Sequence, residues 1–95
     1  MRKAAFPPPS IARLAEHIEV DYALEEHAAI YIAFRLHRTV ESCQKFLKAR
    51  RVNHDYDTIF WMSFRGKCYF KRADVERFVR REQARARAIL RKMAI

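Results

Sequence analysis

Between positions 38 and 51 this chain sets cations among short hydrogen-bonding side chains: Arg38, Thr39, Ser42, Gln44, Lys45, Lys48 and Arg51. Further on, Arg65 and Lys67 bracket Gly66, the only glycine present. The chemistry open to such a set is recognition of a polyanion. Lysine and arginine neutralise phosphates, arginine can also fork onto the O6 and N7 acceptors of guanine, and serine or glutamine can exchange hydrogen bonds with base edges. By position, Arg38 and Lys45 suit guanine or phosphate, Ser42 and Gln44 suit base edges or phosphate, and Lys48 and Arg51 suit phosphate. Glu41 could accept from a cytosine amino group, but an acid there more often orients a neighbouring arginine.

Recognition of this kind needs rigid elements behind it. Val40, Cys43, Phe46 and Leu47 form one apolar stripe at helical spacing, which predicts a helix over Thr39–Arg51 with Thr39 or Arg38 at its cap and the polar set on its other face. A preceding helix is predicted over Ala23–Leu36, where Leu24, Ala28, Ile32 and Arg35 share a face and Glu25 and Glu26 suit the first turn. The joint between them, Arg35 to Arg38, has the length of a helix-turn-helix. Downstream, Thr58–Phe64 and Lys67–Phe70 read as two strands joined at Arg65-Gly66, because their residues are aromatic or β-branched and glycine supplies positive φ. A last helix starts at Arg72 or Ala73 and runs beyond Arg91. At the other end, Met1–Pro9 is an extended arm with three consecutive prolines, Ser10 caps a short helix over Ile11–Glu19, and Val20–Tyr22 is the break after it.

The aromatic residues Phe60, Trp61, Phe64, Tyr69 and Phe70 admit two readings. They could stack nucleobases, as single-strand platforms do, or fill the core. The core is the preferred assignment, since alternation sends Trp61 and its same-face partners inward over the two helices.

Composition narrows the classes. Ninety-five residues, half of them hydrophobic, make one small domain with enough apolar side chains for its own core. Sixteen of the twenty Lys and Arg lie in residues 38–95, against six of the eleven acids, so the positive charge is concentrated in the same part as the polar set. Cys43 and Cys68 fit neither a disulfide framework nor a zinc site, His17, His27, His37 and His54 lack metal-ligand spacing, and a reducing cytoplasm is expected. No apolar stretch approaches a membrane span of ~20 residues. An enzyme is not expected: the chain has no glycine-rich phosphate loop and no nucleophile–histidine–acid pattern, and Asp55 with Asp57 reads as a polar loop rather than a metal-dependent nuclease site. No cofactor or metal is expected.

Two segments carry a family resemblance. Glu25-Glu26-His27-Ala28-Ala29-Ile30-Tyr31-Ile32 followed by His37-Arg38-Thr39-Val40 resembles the start of excisionase and MerR-type winged helix-turn-helix domains, and Arg65-Gly66-Lys67-Cys68-Tyr69-Phe70-Lys71-Arg72-Ala73-Asp74-Val75-Glu76-Arg77-Phe78 resembles their wing and exit helix. The resemblance spans roughly residues 24–80. It departs from the family in having Ala33-Phe34-Arg35-Leu36 where a turn glycine is usual, a longer connection Val52–Asp57 before the wing, and an added N-terminal helix. It implies an α+β fold, a winged helix-turn-helix of three to four helices with a two-stranded hairpin wing, over residues 10–82, with a helical extension over 83–95. It also implies a DNA-bending accessory protein of a mobile element, which binds duplex DNA in tandem, assists a tyrosine recombinase (integrase) in excision and regulates promoters. Arg38, Thr39, Ser42 and Lys45 would enter the major groove, with Arg65 and Lys67 at the wing. A plasmid or phage regulator without a recombinase, or a protein-interaction module, are the alternatives. Ile89, Leu90 and Met93 remain on the apolar stripe of the last helix beyond the expected core, and they are assigned to self-association rather than to packing on Ile11–Ile18. The expected location is cytoplasmic and nucleoid-associated. Contact with roughly 6–10 phosphates would lower affinity ~10³–10⁵-fold between about 50 and 200 mM salt.

Overall fold

A computed structural model describes residues 20–94. The fold is α+β, and its described elements run β1 (Tyr22–Leu24), α1 (Glu25–Leu36), α2 (Val40–Val52), β2 (Trp61–Phe64), β3 (Lys67–Lys71) and α3 (Arg72–Met93). The expected arm and the expected helix over Ile11–Glu19 lie outside the described residues.

The joint between α1 and α2 closes without glycine. His37 takes the left-handed conformation at the end of α1 (φ 55°), and the Arg38 amide reaches back to the Ala33 carbonyl at 3.0 Å. That is the Schellman arrangement, in which the residue just past the helix needs positive φ. A histidine fills it, just beyond Ala33-Phe34-Arg35-Leu36, where the resemblance implied glycine. Thr39 then starts α2: its extended backbone (φ −75°, ψ 149°) lets its hydroxyl oxygen accept the Ser42 amide at 3.1 Å. Of the two expected caps, Thr39 is the one used.

The sheet has three strands rather than the expected two. Its order is β1-β3-β2, both pairs antiparallel, with Ala23 opposite Phe70 and Phe70 opposite Trp61. β1 corrects the expected break at Tyr22 and the early start of α1 at Ala23, while Val20 and Asp21 are helical. Pairing Tyr22 with Lys71 joins residues far apart in the chain, and no local pattern encodes such a bond. The first strand of the hairpin is also shorter than expected. Residues 55–58 are held by Asp55, whose carboxylate accepts the amides of Asp57 (3.0 Å) and Thr58 (3.3 Å), the Thr58 hydroxyl (3.2 Å) and the Arg50 guanidinium (3.1 Å). The Thr58 amide above all holds the Asp55 carboxyl below its usual range. This curled turn removes Thr58 from the ladder, while the Phe60 carbonyl still accepts from the Lys71 amide at 2.8 Å.

Alternation divides the aromatic residues between the two faces of this sheet. Trp61 and Phe70 point into the core, joined by Ala23 and capped by Ile59, and pack with Ala28, Ala29 and Ile32 of α1, Cys43 and Leu47 of α2, and Val75, Phe78 and Val79 of α3. The core assignment therefore holds for Trp61 and Phe70. It fails for Phe60, Phe64 and Tyr69. Cross-strand partners share a face, so Tyr69 lies with its neighbours Leu24 and Met62, Phe64 lies beside Lys67, and Phe60 meets the ring of Tyr22 edge-on at 6.4 Å, all on the side away from the helices. The sequence offers apolar residues at successive positions, and both faces of the sheet are consequently aromatic.

α3 binds the helix pair at its middle. Phe78 stacks on Phe46 of α2 at 4.9 Å, Glu82 pairs with Arg38 at 2.9 Å, and the Gln83 amide donates to the Arg35 carbonyl at 3.3 Å. From Ala84 to Ala94 every residue is exposed, and along this part Ile89, Leu90 and Met93 are 51%, 62% and 74% exposed.

Candidate nucleic-acid interface

The polar side of α2 faces solvent. Glu41, Ser42, Gln44, Lys45 and Lys48 are exposed, while Cys43 and Leu47 on the opposite side are buried; burial also pushes the Cys43 thiol pKa up. The β2–β3 turn meets this side across the start of α1. Gln44, Lys45 and Lys48 line an open groove of about 330 Å³ against Glu25, Glu26 and Glu41. Arg51, Gly66, Lys67 and Cys68 line a second, of about 420 Å³, against Leu24 and the same Glu25 and Glu26. The two grooves share their acidic wall. One surface thus brings together Gln44, Lys45, Lys48, Arg51 and Lys67, which arise from α2 and the hairpin on either side of the Asn53–Phe60 connection.

The turn that presents Lys67 is a tight one. Arg65 and Gly66 both have positive φ, 52° and 76°, which is the two-residue type I′ geometry. Glycine adopts it freely, and a side chain at Gly66 would meet nothing within 4 Å, so the backbone angle alone is the reason for glycine there. An arginine at Arg65 is another matter. The left-handed region disfavours a residue with a Cβ by about 1–2 kcal/mol, and asparagine tolerates it better. The guanidinium of Arg65 rests over the Phe64 ring, 5.6 Å from its centre, and no carboxylate pairs with it among the described residues.

Two of the expected contact residues have partners within the fold. Arg51 makes a two-pronged pair with Glu25, Nε to Oε1 at 2.8 Å and Nη2 to Oε2 at 3.1 Å, which binds the end of α2 to the start of α1. Arg38 lies at the opposite end of α2, tied to Glu82, and the N-cap bond occupies the Thr39 hydroxyl oxygen. Arg38, Thr39 and Ser42 therefore form the leading end of the α2 face, and Lys45, Lys48 and the wing its trailing end. Sequence reasoning read Glu25 and Glu26 only as favourable to a helix start. Their place inside the cationic surface follows from how α1 crosses α2, and no spacing in the chain signals it.

Glu25 acts as a brake on the charge of this surface. If duplex DNA lies on this surface, Glu25→Gln should steepen the salt dependence of its binding by about 0.9 in log–log slope, because Arg51 becomes available to one further phosphate. The same change should lower folding stability by about 1 kcal/mol through the weakened bidentate pair. Binding isotherms at several salt concentrations and a thermal melt measure the two effects. An unchanged slope would remove Arg51 from the interface.

Among the described residues there is no group of three or more His, Cys, Asp or Glu placed to hold a metal ion, and no helix long and apolar enough to cross a membrane. Comparison with protein-family models, curated proteins and solved structures found no match for this chain.

Proposed function

We propose that this protein binds duplex DNA through the exposed side of α2 and the β2–β3 wing, as an excisionase-type accessory factor that bends DNA, promotes excisive recombination by a tyrosine recombinase and regulates transcription. Its fold is read as a winged helix-turn-helix, with α1 bracing α2 and the hairpin beside them. The observation that carries the reading is the shared surface: α2 places Gln44, Lys45 and Lys48, and the wing places Lys67, around one helix start. A helix with such a face fits the major groove, and a basic turn beside it can follow the adjacent phosphate strand or enter the minor groove. The recombination role rests on the resemblance of residues 24–80 to excisionases.

Arg65 supports the wing assignment independently. The turn would fold better with asparagine at that position, and among the described residues the Phe64 ring is what engages the arginine. A charge kept at a conformational cost points to use outside the fold. Arg65→Asn should therefore raise stability by about 1 kcal/mol while weakening duplex binding. Thermal denaturation and a gel shift read the two sides of this exchange, and a variant gaining stability with unaltered affinity would take Arg65 out of the interface.

Ile89, Leu90 and Met93, exposed on the part of α3 beyond the core, are assigned to contact between protomers bound in tandem. The decisive experiment for the proposal as a whole is the salt dependence of duplex binding, set out in the Discussion. The place of action that follows is the cytoplasmic nucleoid.

A further inference from the structure

Apart from its edge at Lys67 and Leu24, the outer face of the sheet is not used by the proposed duplex-binding surface, and it carries a chemistry of its own. Its central strand presents Lys67, Tyr69 and Lys71 in alternation. Phe64 lies across from Lys67, and Phe60 and Tyr22 flank Lys71 on either side. Phe60 is 40% exposed and Tyr22, Phe64 and Tyr69 are half-buried, so the rings sit on the solvent side without being sealed. An open hollow of about 330 Å³, lined by Tyr22, Leu24, His27, Tyr69 and Arg72, adjoins them. The three strands contribute two charged side chains, both lysine, and no acid.

We propose that this face is a docking platform for single-stranded nucleic acid, with bases stacked on Tyr69, Phe60 and Tyr22 and the phosphates held by Lys67 and Lys71. Charge complementarity selects the occupant. The strands of this face carry lysine as their only charge, and the nearby Asp74 carboxylate is engaged by the Phe60 amide at 3.0 Å and by Arg77 at 2.9 Å; such a face suits a flexible polyanion that also offers flat π-surfaces, and an unpaired strand is such a molecule. A duplex is not, because its base faces are already covered by their neighbours. The strand geometry fits as well: alternate residues on one strand lie about 6.6 Å apart, so Tyr69, the outward ring of β3, has Lys67 and Lys71 on either side within one extended nucleotide's reach. This inference does not rest on the duplex reading. The two sites meet at Lys67, which stands at the border between the wing tip and the platform, and at Leu24, which lines a groove on each side.

The test uses the full chain with two probes, fluorescein-labelled dT20 and a labelled 20-base-pair duplex, followed by anisotropy in parallel. Binding of dT20 is expected, with Phe60→Ala and Tyr69→Ala each lowering dT20 affinity by about 10-fold and shifting duplex affinity by less than about twofold. Tyr69→Phe keeps the ring and should retain dT20 binding. Phe60 precedes β2 and is exposed, so its variant should remain folded, as circular dichroism will verify, even if Tyr69→Ala does not. Failure of dT20 to bind the full chain overturns the proposal. So do aromatic variants that leave dT20 affinity intact, and variants that weaken both probes equally. A Tyr69→Ala change that converts a dimer to a monomer while dT20 binding stays unchanged would assign the face to a second copy and overturn it equally. Loss of duplex binding alone would instead count against the α2 and wing reading and leave the platform standing.

Discussion

Duplex affinity should fall about 150-fold when salt is raised from about 50 to about 200 mM. The figure follows from counterion release, with a log–log slope of about −0.9 for each neutralised phosphate. Four cations of the proposed surface, Lys45, Lys48, Arg65 and Lys67, have no carboxylate partner among the described residues, which sets the slope near −3.6. Arg38 and Arg51 are already paired with Glu82 and Glu25. If DNA draws both away from those acids, the slope approaches −5.4 and the loss about 2,000-fold. The structure therefore lowers the dependence expected from charge alone, because a cation must leave its carboxylate before it can neutralise a phosphate. Lys48→Ala should weaken binding to all sequences alike and make the slope shallower by about 0.9. Arg38→Ala, at the leading end of α2, should change the preference among sites, since a good bidentate base contact discriminates by about 1–3 kcal/mol. Gel-shift titrations at a series of salt concentrations measure all three. A flat response would sink the duplex reading, and an Arg38→Ala variant that scaled every site equally would sink the placement of that residue in the groove.

Phe70→Ala should be the most damaging single change to the fold, with a loss of about 3–5 kcal/mol. Phe70 is fully buried on the central strand, opposite both Ala23 and Trp61, so its ring is the point where the sheet meets the helices. A domain of this size has a total stability of about 5–15 kcal/mol, so the variant should be partly unfolded at physiological temperature. Its melting midpoint should drop by about 12–40 °C. Phe64→Ala supplies the contrast. That ring lies on the outer face, beside Lys67 and under Arg65, and its removal should lower stability by about 1 kcal/mol. Thermal melts followed by circular dichroism decide between the two. Similar losses for both variants would mean that the faces of the sheet are wrongly assigned.

The difference between these two phenylalanines marks what the linear chain can and cannot specify. α1, α2 and α3 are legible in it because a helix buries residues at a local period, and Cys43, Phe46 and Leu47 reveal the α2 stripe without any knowledge of its partner, although Val40, expected on the same stripe, is exposed at the helix start. The hairpin is legible too, since Arg65-Gly66 brings its two strands together through neighbours in sequence. The candidate polar set on α2 follows directly, as the other side of the same stripe. Three features are not legible, for one reason. β1 exists because Tyr22 finds Lys71, Arg51 is restrained because Glu25 crosses α2 at its last turn, and Arg38 is tethered because the middle of α3 reaches it. Each is a contact between distant parts of the chain, set by packing geometry rather than by spacing. The aromatic residues illustrate the same limit. Their identity announces a sheet, but where apolar residues fill both alternating positions the period is silent on which ring is buried, and only the helices packed on one side decide it.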